Sequence, residues 1–162
     1  MLVRLEPGEI PTGHPVALIH EFWLRAAGGG AKTPPWAQFD PADHPKILPW
    51  ILLLRRDEGA GGLRDPDWRF TVCGSGCAEL LGFSCQGGRY GDVFPAEASE
   101  HGIRDFDLVS NGAGPLLTRN VLAFPGREAI STLRGVFPFA GDRTSMERIM
   151  VVLAKENQRA GT

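Results

Sequence analysis

Residues 67–90, DWRFTVCGSGCAELLGFSCQGGRY, decide the fold. Trp68, Phe70 and Val72 alternate with Arg69 and Thr71, the period of a half-buried strand. Gly74 stops that strand, Ser75 is placed to N-cap a short helix through Leu81, and a second glycine-rich turn follows at Gly87-Gly88. Glycines between a strand and a helix can also cradle a phosphate, so their spacing matters. Gly74 and Gly76 match the first two positions of a dinucleotide fingerprint, but Glu79 stands where the third glycine belongs. No Gly-Lys-Ser/Thr follows either. Nucleotide binding is not expected here.

Outward from this stretch the chain reads as short elements between many turns, with 21 glycines and 13 prolines. Residues 1–15 are expected to form an irregular N-terminal arm, 16–155 one domain, and 156–162 a C-terminal tail. Val16 to Ala27 has a helical stripe of Leu18, Ile19, Phe22, Trp23 and Ala26, ended by Gly28-Gly29-Gly30. That stripe either packs on the chain's own sheet or forms a dimer seam through Leu18, Ile19, Phe22 and Trp23; both readings stay open. Asp40-Pro41 caps a short helix that stops before Pro49. Trp50 to Arg56 is a strand, apolar on both faces through Leu54, and residues 94–111 hold short helices with Ile103 and Phe106 at helical spacing. Three further strands are expected, Leu116 to Phe124, Glu128 to Phe139 and Glu147 to Lys155, with hairpin turns at Pro125-Gly126 and Ala140-Gly141-Asp142. Two strands, then helices, then three hairpin-linked strands make an α+β fold, an antiparallel sheet with helices gathered on one face.

The sequence resembles the PAS domains, specifically a short, mostly alphaproteobacterial group often met as single-domain proteins. In that group a strand of the type RYRL-x-G runs into ALCELFGRELTGRRLSEL. Here RFTVCGSGCAELLGFSCQGGRYGDVF fills the same slots, with Gly74, Leu80, Gly82, Gly88 and Arg89 in register. The likeness extends to EFWLRAAGGG and FDPADHPKILPWILLL upstream and to VFPFAGDRTSMERIMVVL downstream, roughly residues 16 to 154. It implies a five-stranded antiparallel sheet of order 2-1-5-4-3, cupped by short helices on one face and preceded by an N-terminal helix. It also implies a sensory or protein-interaction module in bacterial signalling, with a partner such as a histidine kinase or regulator, and population shift as the mechanism.

Composition narrows the partners. The 162 residues suit one domain, and a net charge of −2 lacks the basic stripe a nucleic acid would require. No run approaches a membrane span or a signal peptide, so the cytoplasm is expected. Cys73, Cys77 and Cys85 form no CxxC pair, and with four scattered histidines they make no zinc spacing. A Cys73–Cys77 disulfide is geometrically conceivable, but three small core fillers in a reducing compartment is the expected role. The flavin-adduct photosensors of the superfamily resemble Asn-Cys-Arg-Phe-Leu-Gln on a helix, and neither FSCQGGR nor the Cys77 surroundings match it.

No constellation looks catalytic, and no enzyme is expected. Ser75 lies in CGSGC, where Cys73 replaces the first glycine of a nucleophile elbow. Asp105 and Asp107 in RDFD read as a solvated helix face. An apolar interior could accept a small molecule, lined by candidates Leu80, Leu81, Phe83, Phe94, Ile103, Phe106, Val121, Leu122, Leu133 and Phe137. Arg119 and Asn120 interrupt an apolar strand, so one of them is expected to point inward; an inward Arg119 would have to meet an acid or a ligand carboxylate, and an outward one faces a dimer or partner surface. The resemblance places His101 in the helical segment that walls the cavity, where some haem-binding PAS sensors take their axial histidine; its polar neighbours suit solvent equally. No cofactor is required by the sequence. Three expectations follow: a ligand- or partner-binding sensor, a haem sensor using His101, and a dimerising adaptor with a filled core.

Overall fold

The computed structural model describes residues 2–29, 32–57, 67–122, 124–141 and 147–161. Its sheet forms around the most apolar runs. β2 (Ile51–Asp57), β5 (Ser131–Phe139) and β6 (Arg148–Lys155) are covered on both faces, which explains runs such as Ile51-Leu52-Leu53-Leu54 that do not alternate. β3 (Asp67–Cys73) and β4 (Leu116–Val121) flank them. With β1 (Val3–Arg4) these strands pair antiparallel in the order β1-β4-β5-β6-β2-β3. Without β1, this is the 2-1-5-4-3 order that the PAS resemblance implies.

The sheet has six strands, not five. The extra one is β1 (Val3–Arg4), inside the stretch expected to be irregular. Val3 lies opposite Arg119 and Arg4 opposite Thr118, and the Leu5 N–H donates to the Leu117 carbonyl at 2.8 Å. A second correction concerns β3. Its pairing with β2 shifts between Leu53 and Leu54, so Thr71 is an extra residue and Val72 lies opposite Leu53 rather than in line with Phe70. An inserted residue switches the face of everything beyond it. Trp68 and Phe70 are therefore buried, whereas Val72 is exposed on the other side.

Each face of the sheet has its own core. On the outer face lies α1 (Pro15–Ala26), with Val16, Ile19 and Trp23 turned onto Leu133, Phe137, Met150 and Val152. The Trp23 indole N–H donates to the Pro138 carbonyl at 2.8 Å. Gly135 permits this approach, since a Cβ there would press on the Phe137 ring and on Val16. His14 begins the helix: its Nδ1 accepts from the Val16 N–H at 3.1 Å, and its Nε2–H donates to the Lys155 carbonyl at 3.0 Å. The sequence gives no hint of that role.

On the inner face are α2 (Ser75–Leu81), α3 (Tyr90–Val93) and α4 (Ala96–Leu108). Ser75 is the first residue of α2 and not its cap; Gly74 holds the cap position, and no side chain bonds there. The expected helix after Asp40 is a pair of single 3-10 turns, Pro41–Asp43 and Leu48–Trp50. Asp142, in the second expected hairpin turn, lies outside the described residues. No helix among the described residues is long and apolar enough to cross a membrane.

Candidate functional site

Between the inner face of the sheet and the α3–α4 segment lies a cavity of about 430 Å³. Leu52, Phe70, Val151 and Leu153 form its apolar floor, and Phe94, Ala98 and Gly102 its roof. Leu2, Glu97, His101 and Val121 stand around it toward solvent, each with substantial exposure apart from the floor residues. At one end Asn120 and Arg134 enter from β4 and β5, with Asp105 of α4 and Tyr90 of α3 above them.

The polar end is built around a buried cation. Arg134 Nη1 donates to Asp105 Oδ2 at 2.9 Å, with side-chain exposures of only 10% and 14%. An unpaired guanidinium at such depth would be prohibitive, and Asp105 neutralises it. Arg134 and Tyr90 stand together on the cavity wall, close enough for the guanidinium charge to act on the phenol. Burial pushes the Tyr90 phenol above its ordinary value, with the Arg134 charge working against that rise. Tyr90 stacks on Phe94 (ring centroids 4.8 Å apart) and meets Phe106 edge-on at 4.9 Å. Gly102 makes room for it, because a Cβ on that turn of α4 would collide with the Tyr90 hydroxyl and ring. Ser99 completes the junction by donating to the Phe94 carbonyl at 3.0 Å.

Alternation along the paired strands sets the rest of the polar end. Thr118 lies opposite Arg134, and Asn120 opposite Thr132. The Thr132 hydroxyl lies 2.9 Å from the Asn120 backbone oxygen and 3.3 Å from Asn120 Oδ1. Thr118 Oγ1 is buried with no partner among the described residues.

Of the residues proposed from sequence, the cavity brings together Leu81, Phe94, His101, Val121 and Leu122. Leu80, Ile103 and Phe106 belong to the same inner core without lining the cavity. Phe137 and Leu133 are corrections: both are fully buried in the outer core, on the far side of the sheet. Phe83 is exposed and rests edge-on against Phe124 at 5.2 Å. Arg119 points away from the interior and pairs with Glu156 at 2.7 Å. Asp105 was expected on a solvated face and is instead nearly buried. Asp107 fits that expectation better, half-exposed and 3.9 Å from Arg56. Arg134 was missed. Its signal was a charged residue inside STLRGVFPF, the feature that drew attention to Arg119.

The proposed dimer residues divide. Ile19 and Trp23 are buried in the chain's own core, while Leu18 and Phe22 are half-buried, Phe22 lying edge-on to Phe39 and His44. The cysteines are all free thiols. Cys73 Sγ contacts the Gly74 carbonyl at 3.9 Å, and Cys77 Sγ contacts the Leu153 carbonyl at 3.5 Å. Burial raises the Cys77 and Cys85 thiols far above their ordinary range, leaving them protonated. None of the three lines the cavity. His101 is exposed and stands among the residues around the cavity. Among the described residues, no group of three His, Cys, Asp or Glu could hold a metal ion.

No family model matches the sequence, and no curated protein matches it. Among solved structures the chain is similar to a fungal LOV domain photoreceptor, described as part of a conserved pathway integrating blue light and oxidative stress. The match covers 85% of this chain and 90% of that one, at 15% identity and a TM-score of 0.45.

Proposed function

We propose that this chain is a non-enzymatic sensory module of the short PAS group its sequence resembles, holding a small and largely apolar molecule under α3–α4. The supporting observation is the cavity itself: about 430 Å³, apolar over its floor, with a few buried polar groups gathered at one end. That size and character are those of small-molecule sites, which typically span roughly 300–1,000 Å³. A dimerising adaptor with a filled core would have no use for such a space.

The mechanism is a population shift. The roof meets the sheet through Tyr90, the Arg134–Asp105 pair and Phe94, all at the cavity wall. An occupant that contacts these groups favours one placement of α4 over others, and the altered outer surface of α4 is read by a signalling protein. A bacterial cytoplasmic setting, a kinase or regulator as reader, and a homodimer as the working form belong to the same proposal.

Native mass spectrometry of the purified protein, with its absorption spectrum, tests the reading. A bound small molecule that disappears in Ala98→Trp, a roof substitution that fills the cavity, supports it. A protein without extra mass that also fails to bind any member of a small-molecule panel overturns it in favour of the adaptor. A haem band lost in His101→Ala would replace it with the haem reading.

A further inference from the structure

We infer that the cavity selects an uncharged molecule with a hydrogen-bond-accepting head, an amide or ketone carbonyl, on an aromatic or apolar body. The inference rests on the ligand-binding reading above and specifies its chemistry.

Two observations carry it. The first is an inventory of donors. A guanidinium has five N–H donors, and Arg134 spends one of them on Asp105. Asn120 turns its Oδ1 toward Thr132, which leaves its amide N–H groups to serve as donors. Both side chains line the cavity. The polar end thus offers N–H groups to the cavity, and a molecule that displaces water from them must supply an acceptor, because a donor buried without one is costly. An occupant must bring an acceptor to that end.

The second observation is charge. Arg134 is already neutralised by Asp105, and the remaining ionic group on the wall is Glu97, so the lining carries a net negative charge with histidine neutral. A carboxylate would satisfy the donors, but it would enter a low-dielectric space beside Asp105 with no cation to spare. A carbonyl satisfies the same donors without that repulsion. The rest of the molecule meets the faces of Phe70 and Phe94 and the side chains of Leu52, Leu81 and Leu153, which suit a flat aromatic body.

Matched pairs differing only in the head group test this: indole-3-acetamide against indole-3-acetate, and naphthalene-2-acetamide against naphthalene-2-acetate, titrated calorimetrically at pH 7.5. The amide of each pair is expected to bind at least about tenfold more tightly. Asn120→Leu should reduce the amide's advantage; Thr132 keeps its bond to the Asn120 backbone carbonyl, so the fold has no reason to fail. Asp105→Asn retains a hydrogen-bond acceptor for Arg134 while freeing its charge, and should turn the preference toward the carboxylate. A melting curve confirms that each variant is folded. Equal binding within each pair, or a tighter carboxylate in the unaltered protein, overturns the inference and leaves the cavity reading intact. Binding of neither head group, together with no retained molecule by mass spectrometry, overturns both.

Discussion

Both faces of the sheet are covered by helices, yet they are built on different terms. On the outer face, α1 sets Val16, Ile19 and Trp23 onto aliphatic and aromatic side chains, and its indole N–H finds a carbonyl. Trp36, Phe39 and Phe139 extend that layer with ring contacts of 5.4 to 6.4 Å. The inner face also holds an arginine, an aspartate and a tyrosine hydroxyl beside an open space, and a buried threonine hydroxyl with no partner among the described residues. Close packing stabilises the first face. On the second, packing density and hydrogen-bond satisfaction are both incomplete, and incompleteness of that kind is the mark of a site.

The largest expected difference lies in truncation. Trp23→Ala opens the outer core and should cost about 4 kcal/mol by urea denaturation. A loss below about 1 kcal/mol would mean that α1 is not part of the domain core, and would restore the dimer seam as its main role.

Next comes the ion pair. Asp105→Ala leaves the Arg134 charge buried and unpaired, with an expected loss of about 3 kcal/mol, whereas Asp107→Ala on the exposed side of α4 should cost under about 0.5 kcal/mol. Equal losses from the two would show that the inner face does not hold a buried charge.

Acid provides a third probe, this time of the outer face. Burial, opposed by the Lys155 carbonyl and aided by Arg159, holds the His14 pKa below its ordinary 6.5. The imidazole is therefore neutral in the fold, and the unfolded chain takes the proton first. Stability is complete above about pH 6.5 and declines as pH falls from there to the folded pKa, then levels off, with a slope of at most about 1.4 kcal/mol per pH unit. His14→Asn keeps a cap acceptor and should flatten that decline, leaving a remnant from His20, which burial also lowers. An unchanged acid profile would remove His14 from the account.

The smallest effect is expected at Thr118→Val. Its hydroxyl is buried without a partner among the described residues, so replacing it with a methyl should be neutral or stabilising by up to about 1 kcal/mol. A clear loss would reveal a hydrogen bond to Thr118 that sharpens the picture of the polar end.

Much of the fold was legible in the sequence because its signals are local. Trp68 and Phe70 alternate, glycines end α1 and α2, and Pro125-Gly126 marks the turn between β4 and β5. What escaped depends on partners distant in sequence. A two-residue strand such as β1 has no pattern to detect, and the bulge at Thr71 exists only against β2. The cavity was half legible. Leu81, Phe94 and Val121 could be named, but Phe137 and Leu133 could not be separated from them, because β5 is buried on both faces and an apolar residue there may belong to either core. Arg134 was hidden for the same reason: with no solvent side to the strand, alternation does not distinguish a charge directed into a cavity from one directed outward. Asp105 became interpretable only once α4 was laid over it.

β1 has one more consequence. An open strand edge is a template for pairing with another chain, and β4 would be the edge of this sheet if β1 did not lie beside Thr118 and Arg119. The residue just before β1, Leu2, reaches the cavity wall. Protection against edge-to-edge aggregation and access to the cavity are thereby joined in one short segment. A purification tag fused directly ahead of Leu2 would disturb both at once, so handles for capture or labelling belong at the other end of the chain.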